Sequence, residues 1–259
     1  MPIAQQLLVG FPVFVLGLII VGAFVFFYIA GLLVVRRFVP HHMMMKHHDV
    51  ADPLLGALGA VYAVLLAFMV VSVWGSFEKA NSNVQQEANY LADLYRDAEA
   101  FTPAFRQSLN PLLREYRQAI VGDEWRLMQK GQMSLEAEKL IKRIWGLYVI
   151  YEPRAATETV FFSESVRKLN LVRELRRQRL MDSRSGIHPL LWFVLGIGAL
   201  STISFTFLFG AENLKAQIFM GAMLSAMIAL IIFTILSLDY PFSGSVSIPP
   251  DAFKQMILD

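Results

Sequence analysis

Cysteine is absent from the 259 residues. That excludes a disulfide, a thiolate nucleophile and any cysteine-held metal centre. Charge is also scarce, at 17% of residues against the roughly 25% usual in soluble domains. The 23 basic and 21 acidic side chains nearly cancel, so no basic excess points to nucleic acid as a partner. Neither H-E-x-x-H, nor G-x-S-x-G, nor a phosphate loop occurs. The lone His188 beside Pro189 suits an interface better than a catalytic dyad, so neither an enzyme nor a cofactor is expected.

Long apolar runs are present instead: 56% of residues are hydrophobic and the mean hydropathy is +0.49. Leu7 to Val35 is continuous and uncharged, beyond the roughly 20 residues that cross a bilayer core, and Arg36 and Arg37 follow it at once. A signal peptide would have a basic start and a shorter core, so this run reads as a retained helix. Leu54 to Trp74, Ile187 to Phe209 and Ile218 to Leu238 are three more uncharged runs of adequate length. The expected fold is an all-α membrane protein with four transmembrane helices and a helical extramembrane domain between helices 2 and 3. Its divisions are 1–74 for the first two helices, 75–186 for the helical domain, 187–238 for a hairpin of helices 3 and 4, and 239–259 for a tail. Trp74 and Trp192 fall at one interface, where amphipathic rings are favoured.

Orientation rests on basic residues near the span ends. Lys79, Arg167, Lys168, Arg173, Arg176, Arg177, Arg179, Arg184 and Lys254 accompany both termini and the insertion, against Arg36, Arg37, Lys46 and Lys215 opposite. The total places the termini and 75–186 on the cytoplasmic side of the membrane. The first span alone, with its only close positive charges following it, points the other way.

Within the insertion, Phe77, Ala80, Val84, Ala88, Leu91, Tyr95 and Ala98 recur at helical spacing, predicting a helix that runs on from the second span. Thr102 before Pro103 opens another that Pro111 would kink, and Ser134 with Glu136 and Glu138 opens a third. Pro153 is expected to open the last, with Phe162, Val166, Leu169, Val172 and Leu175 inside and arginines outside. The stretch RKLNLVRELRRQR at 167–179 reads either as a site for anionic lipid headgroups or as a solvated face paired with Glu164 and Glu174.

No Asp, Glu, Lys or Arg stands inside the four runs, which argues against proton coupling, since that needs a titratable group at membrane depth. An oligomeric pore gated by an apolar constriction needs none. In the second span Gly56, Ala60, Ala63 and Ala67 share one face, expected to pack because small residues let helices approach. Leu54, Leu58, Val61, Leu65, Phe68 and Ser72 are the candidates for a surface facing lipid or a pore. The run HHMMMKHHD at 41–49 offers His41, His42, His47 and His48 as weak metal-ligand candidates. Lys46 opposes cation capture, so no metal is assigned.

Residues 47–98, with Gly59, Tyr62 and the rest of G-x-x-Y-x-V-L-L-x-F, then Trp74 and the A-x-x-x-V-x-x-E-A segment holding Glu87, resemble the bestrophin-like domain family. So does LDYPFSGSVSIPPDAF at 238–253, with Asp239, Pro241, Phe242 and Gly244, together with Glu124 and Trp125. Through that family the chain is loosely similar to bestrophins, pentameric anion channels with four membrane helices per subunit. The resemblance implies a homo-oligomer with a passive pathway for small ions beside the second span. SGSVSIP replaces the acidic cluster of calcium-gated members, so no calcium site is implied. The rival expectation is a membrane scaffold whose helical domain binds a cytosolic protein or anionic lipid. Phe242 and Gly244 are expected to turn the tail back onto the domain, with Asp239 capping or salt-bridging there.

Overall fold

The computed structural model describes residues 3–38, 48–208 and 213–256. Among them the regular elements are all helical: α1 Ile3–Gly10, α2 Val13–Phe38, α3 His48–Asp97, α4 Pro103–Ala119, α5 Trp125–Met128, α6 Leu135–Ile150, α7 Ala156–Asp182, α8 Pro189–Phe205, α9 Leu214–Asp239 and α10 Asp251–Lys254. Among the described residues four helices are long and apolar enough to cross a membrane: Val13–Phe38, the start of Pro53–Ala100, Pro189–Leu208 and Leu214–Asp239. The chain is thus an all-α membrane protein.

The first span is shorter than the apolar run predicts. Pro12 disfavours helix at Phe11 and its carbonyl accepts the Leu16 N–H, so α1 ends at Gly10 and α2 starts afresh at Val13. Helix α3, in contrast, passes Gly75 and the Asn81 to Asn83 stretch unbroken for 50 residues, roughly 75 Å at about 1.5 Å per residue.

The chain divides into two units. The membrane unit comprises Gly10–Gly75 and Gly186–Asp239. In lipid, helices associate through close packing rather than water exclusion, and here aromatic rings fill the space above glycines. A Cβ on Gly221 would lie 1.9 Å from Cζ of Tyr28, and one on Gly198 would lie 2.4 Å from the Tyr62 ring. Both phenols then meet backbone carbonyls: Tyr28 donates to Gln217 O at 2.9 Å and Tyr62 to Leu195 O at 2.9 Å. Phe207 fills the space above Gly31, its ring centroid 5.7 Å from that of Tyr28.

The helical unit comprises Met1–Val9, Ser76–Ser185 and Tyr240–Asp259, so described segments before the first span and after the last join the insertion. Its core includes Leu91, Leu94, Leu109, Leu113, Tyr116, Ile144, Leu169 and Val172, all buried. Each such aliphatic is worth about 1.5–3 kcal/mol against exposure. Local signals set the helix starts. Thr102 precedes α4 with Pro103 in its first turn, and the Ser134 hydroxyl accepts the Ala137 N–H while Glu136 and Glu138 face the α6 dipole. Pro111 lies inside α4, which continues to Ala119. Pro153 does not open α7 as expected: the helix starts at Ala156, and the Arg154 N–H is satisfied by the Glu158 carboxylate at 2.6 Å.

Gln5 ties the N-terminal segment down. Its Nε2 donates to Gln129 O, Ser183 O and Ser243 Oγ at 3.3, 3.1 and 3.0 Å. Gly244 has φ +80°, with Leu8 O 3.1 Å from where a Cβ would be, so a side chain there is doubly disfavoured.

Candidate functional site

Within the membrane unit, α3 buries Tyr62, Leu66, Met69 and Val73, spaced at four, three and four residues. This is not the face the small residues mark. Gly56, Ala60, Ala63 and Ala67 are all exposed in the chain, because the close approach uses the glycine of α8 and the tyrosine of α3. Of the candidate surface, Leu54, Val61, Phe68 and Ser72 are exposed, Val61 and Phe68 by 71% each, whereas Leu58 and Leu65 are half-buried toward the packed face. The exposed arc carries no ionisable group between residues 53 and 74.

The motif residues separate by unit. In the membrane unit Gly59 is half-buried and Trp74 exposed, while the Tyr62 ring lies against Gly198. Asp239, also there, is buried and caps the approach to α8: its carboxylate accepts Ile187 N–H at 2.6 Å and Trp192 Nε1–H at 3.4 Å. His188 is likewise a helix cap, its Nδ1 accepting Leu190 N–H at 3.3 Å. In the helical unit Pro241 and Phe242 are buried, and Phe242 stacks edge-on against Trp125 at 5.8 Å. Trp125 Nε1 donates to Ile248 O at 3.0 Å. The tail therefore folds onto the helical unit.

Glu87 and Glu124 belong to a buried ionic core that sequence reasoning missed. A π-helical turn at Ile120–Glu124 shifts the register by one residue, so that neighbouring Glu124 and Trp125 both turn inward. Arg179, fully buried, donates through Nε and Nη2 to Glu87 at 2.7 and 3.0 Å and through Nη2 to Glu124 at 2.9 Å. Its guanidinium also lies 5.0 Å from the Trp125 ring and 5.8 Å from that of Phe253. Arg176 closes the set, bonding Glu124 at 2.6 Å and Glu138 at 2.6 Å.

Burial pushes the Glu124 carboxyl up, but Arg179 and Arg176 outweigh it and hold the group below its ordinary value. At Glu87 burial prevails over Arg179 and the direction is upward. Burial also pushes the Tyr116 phenol well above its usual range, and the negative charge of Glu87 adds to this.

Two arginines assigned to the outer face of α7 are therefore internal, continuing the buried positions Ser165, Leu169 and Val172 at spacings of four and three. Leu175 is only half-buried. Elsewhere in the basic run Lys168 is largely covered and pairs with Asp97 at 2.9 Å and Asp93 at 3.5 Å, whereas Arg167 pairs with Glu164 and Arg177 with Glu174 at the surface. His41, His42 and His47 lie outside the described residues, and only the backbone of His48, the first residue of α3, lies within them. Among the described residues no His, Asp and Glu group is placed to hold a metal.

Comparison with known proteins gives two matches. A family model described as a bestrophin-like domain matches residues 22–253. Among solved structures the chain is similar in fold to a mutant of a bacterial bestrophin homolog from Klebsiella pneumoniae, with TM-score 0.61 and 10% identity, covering 91% of this chain and 94% of that one. Among curated proteins none matches.

Proposed function

We propose a function from one premise: the chain belongs to the bestrophin-like domain family. Several copies assemble in a bacterial inner membrane, with α3 bordering a central, passive pathway for small ions, anions in preference, and the helical unit in the cytoplasm. The bestrophin analogy supplies a pentamer as the assembly. One observation carries the reading: Leu54, Val61 and Phe68, with Ser72 at one end, form an exposed, mostly apolar arc without ionisable groups. Such an arc suits a hydrophobic constriction that gates by wetting and drying. It offers nothing to couple ion movement to protons.

Purified oligomer reconstituted in liposomes is expected to carry chloride down an imposed gradient, and Val61→Asp is expected to alter that flux. No flux across a range of pH and calcium contradicts the reading. A second reading, a membrane scaffold whose helical unit binds a cytosolic protein or anionic lipid, is supported by an arginine-lined groove between α6 and α7. A stoichiometric heterologous protein crosslinked through residues 75–186 would favour it.

A further inference from the structure

The groove between α6 and α7 encloses about 800 Å³, within the roughly 300–1,000 Å³ typical of small-molecule sites. Its apolar floor includes Ile141, Leu171 and Leu180, and its rim carries Lys142, Arg167, Arg173, Arg177 and Arg184 against the carboxylates of Glu138 and Glu174. Both carboxylates are already engaged, Glu138 with Arg176 and Lys142, Glu174 with Arg177. Arg173 and Arg184 have no carboxylate partner among the described residues, yet neither hangs loose. Arg173 is held over the Trp145 ring at 5.2 Å. Arg184 spends only Nε, on Gly131 O at 2.8 Å, which leaves its two terminal nitrogens to donate elsewhere.

Arg173, Arg177 and Arg184 recur at spacings of four and seven, so they share one face of α7 and its C-terminal extension. They span roughly 16 Å at about 1.5 Å per residue. A row of planar, partly anchored guanidinium forks matches phosphate oxygens, and anchoring reduces the entropy lost on binding.

We infer that this groove is a binding site for phosphate groups arrayed along α7, supplied either by a soluble polyphosphate or by phospholipid headgroups. The inference deepens the scaffold reading but is independent of conduction, because binding is measured on its own.

The test uses the full-length protein, with Arg173→Gln/Arg184→Gln as the groove variant. A control variant, Arg126→Gln/Arg143→Gln, loses the same charge elsewhere. In one arm inorganic tripolyphosphate is titrated into detergent-solubilised protein and followed by calorimetry. In the other, protein is reconstituted in mixed phosphatidylglycerol and phosphatidylcholine vesicles, and the lipid retained after re-extraction is quantified. The groove variant is expected to bind at least about tenfold more weakly, because it loses charge-assisted hydrogen bonds to phosphate, and the control to match wild type. Tripolyphosphate binding alone identifies a soluble ligand; selective phosphatidylglycerol retention alone identifies lipid. Absence of binding in both arms, or equal loss in groove and control variants, overturns the inference.

Discussion

Replacing Arg179 with methionine strands Glu87 and leaves Glu124 to Arg176 alone. The guanidinium holds Glu87 through two bonds and Glu124 through a third, with all three side chains fully buried. Methionine restores much of the volume and none of the charge. Removing one partner of a buried ion pair costs about 3–5 kcal/mol, because an uncompensated charge stays behind. A domain's net stability is only about 5–15 kcal/mol. At about 3 °C per kcal/mol for a unit of this size, the midpoint of the helical unit is expected to fall by about 10 °C. Tryptophan fluorescence reports the transition, since Trp125 packs directly on the lost cation.

Adding Glu87→Gln to Arg179→Met removes the stranded charge, so the double variant is expected to regain part of the loss. The two substitutions then fail to add, the mark of residues in one network. A fall of under 3 °C for Arg179→Met, or strict additivity, would refute the ionic core as a determinant of stability.

Glu124 and Glu138 are both held low by arginine, against the upward push of burial. Their stabilisation is present above the ordinary carboxylate value of 4.5 and lost as pH falls through the folded-state values. Thermal midpoints followed from pH 7 downward should therefore drop on the acid limb, less steeply in Glu124→Gln. In the membrane unit, Gly221→Ala drives a methyl into the Tyr28 ring and should cost at least about 2 kcal/mol, as overpacking does, with recovery in the double variant Gly221→Ala/Tyr28→Leu. Detergent-stability assays read both. Gln5→Ala removes three hydrogen bonds at the N-terminal segment, so limited proteolysis is expected to cut there earlier than in wild type, while the melting midpoint of the remaining helical unit moves by a few degrees or less.

The spans were legible because lipid imposes the simplest of all patterns, a run of about 20 apolar residues. Only Pro12 modified the first of them, by a steric rule that hydropathy ignores. The continuity of α3 was legible in the three-and-four spacing from Phe77 to Ala98. The ionic core was hidden because arginine and glutamate are ordinarily solvated. Register held the signal: Glu87 lies three after Val84 and four before Leu91, and Arg176 lies four after Val172. Glu124 gave no such sign, since its inward turn depends on a π-helical insertion that periodicity does not encode. Within the chain, the face of α3 that packs differs from the one its small residues mark, for a different reason. Small residues were matched within one helix, whereas the observed approach pairs a tyrosine on α3 with a glycine on α8.

The absence of cysteine makes the central claim directly measurable. Single cysteines placed at Leu54, Val61, Phe68 and Ser72, and for comparison at Ala60, Ala63 and Ala67, are exposed to a charged, membrane-impermeant thiol reagent in the assembled protein. A water-filled pathway along α3 predicts modification at the first set and protection at the second. Protection at every position, in protein of verified oligomeric state, would place that arc in lipid and contradict the conduction account.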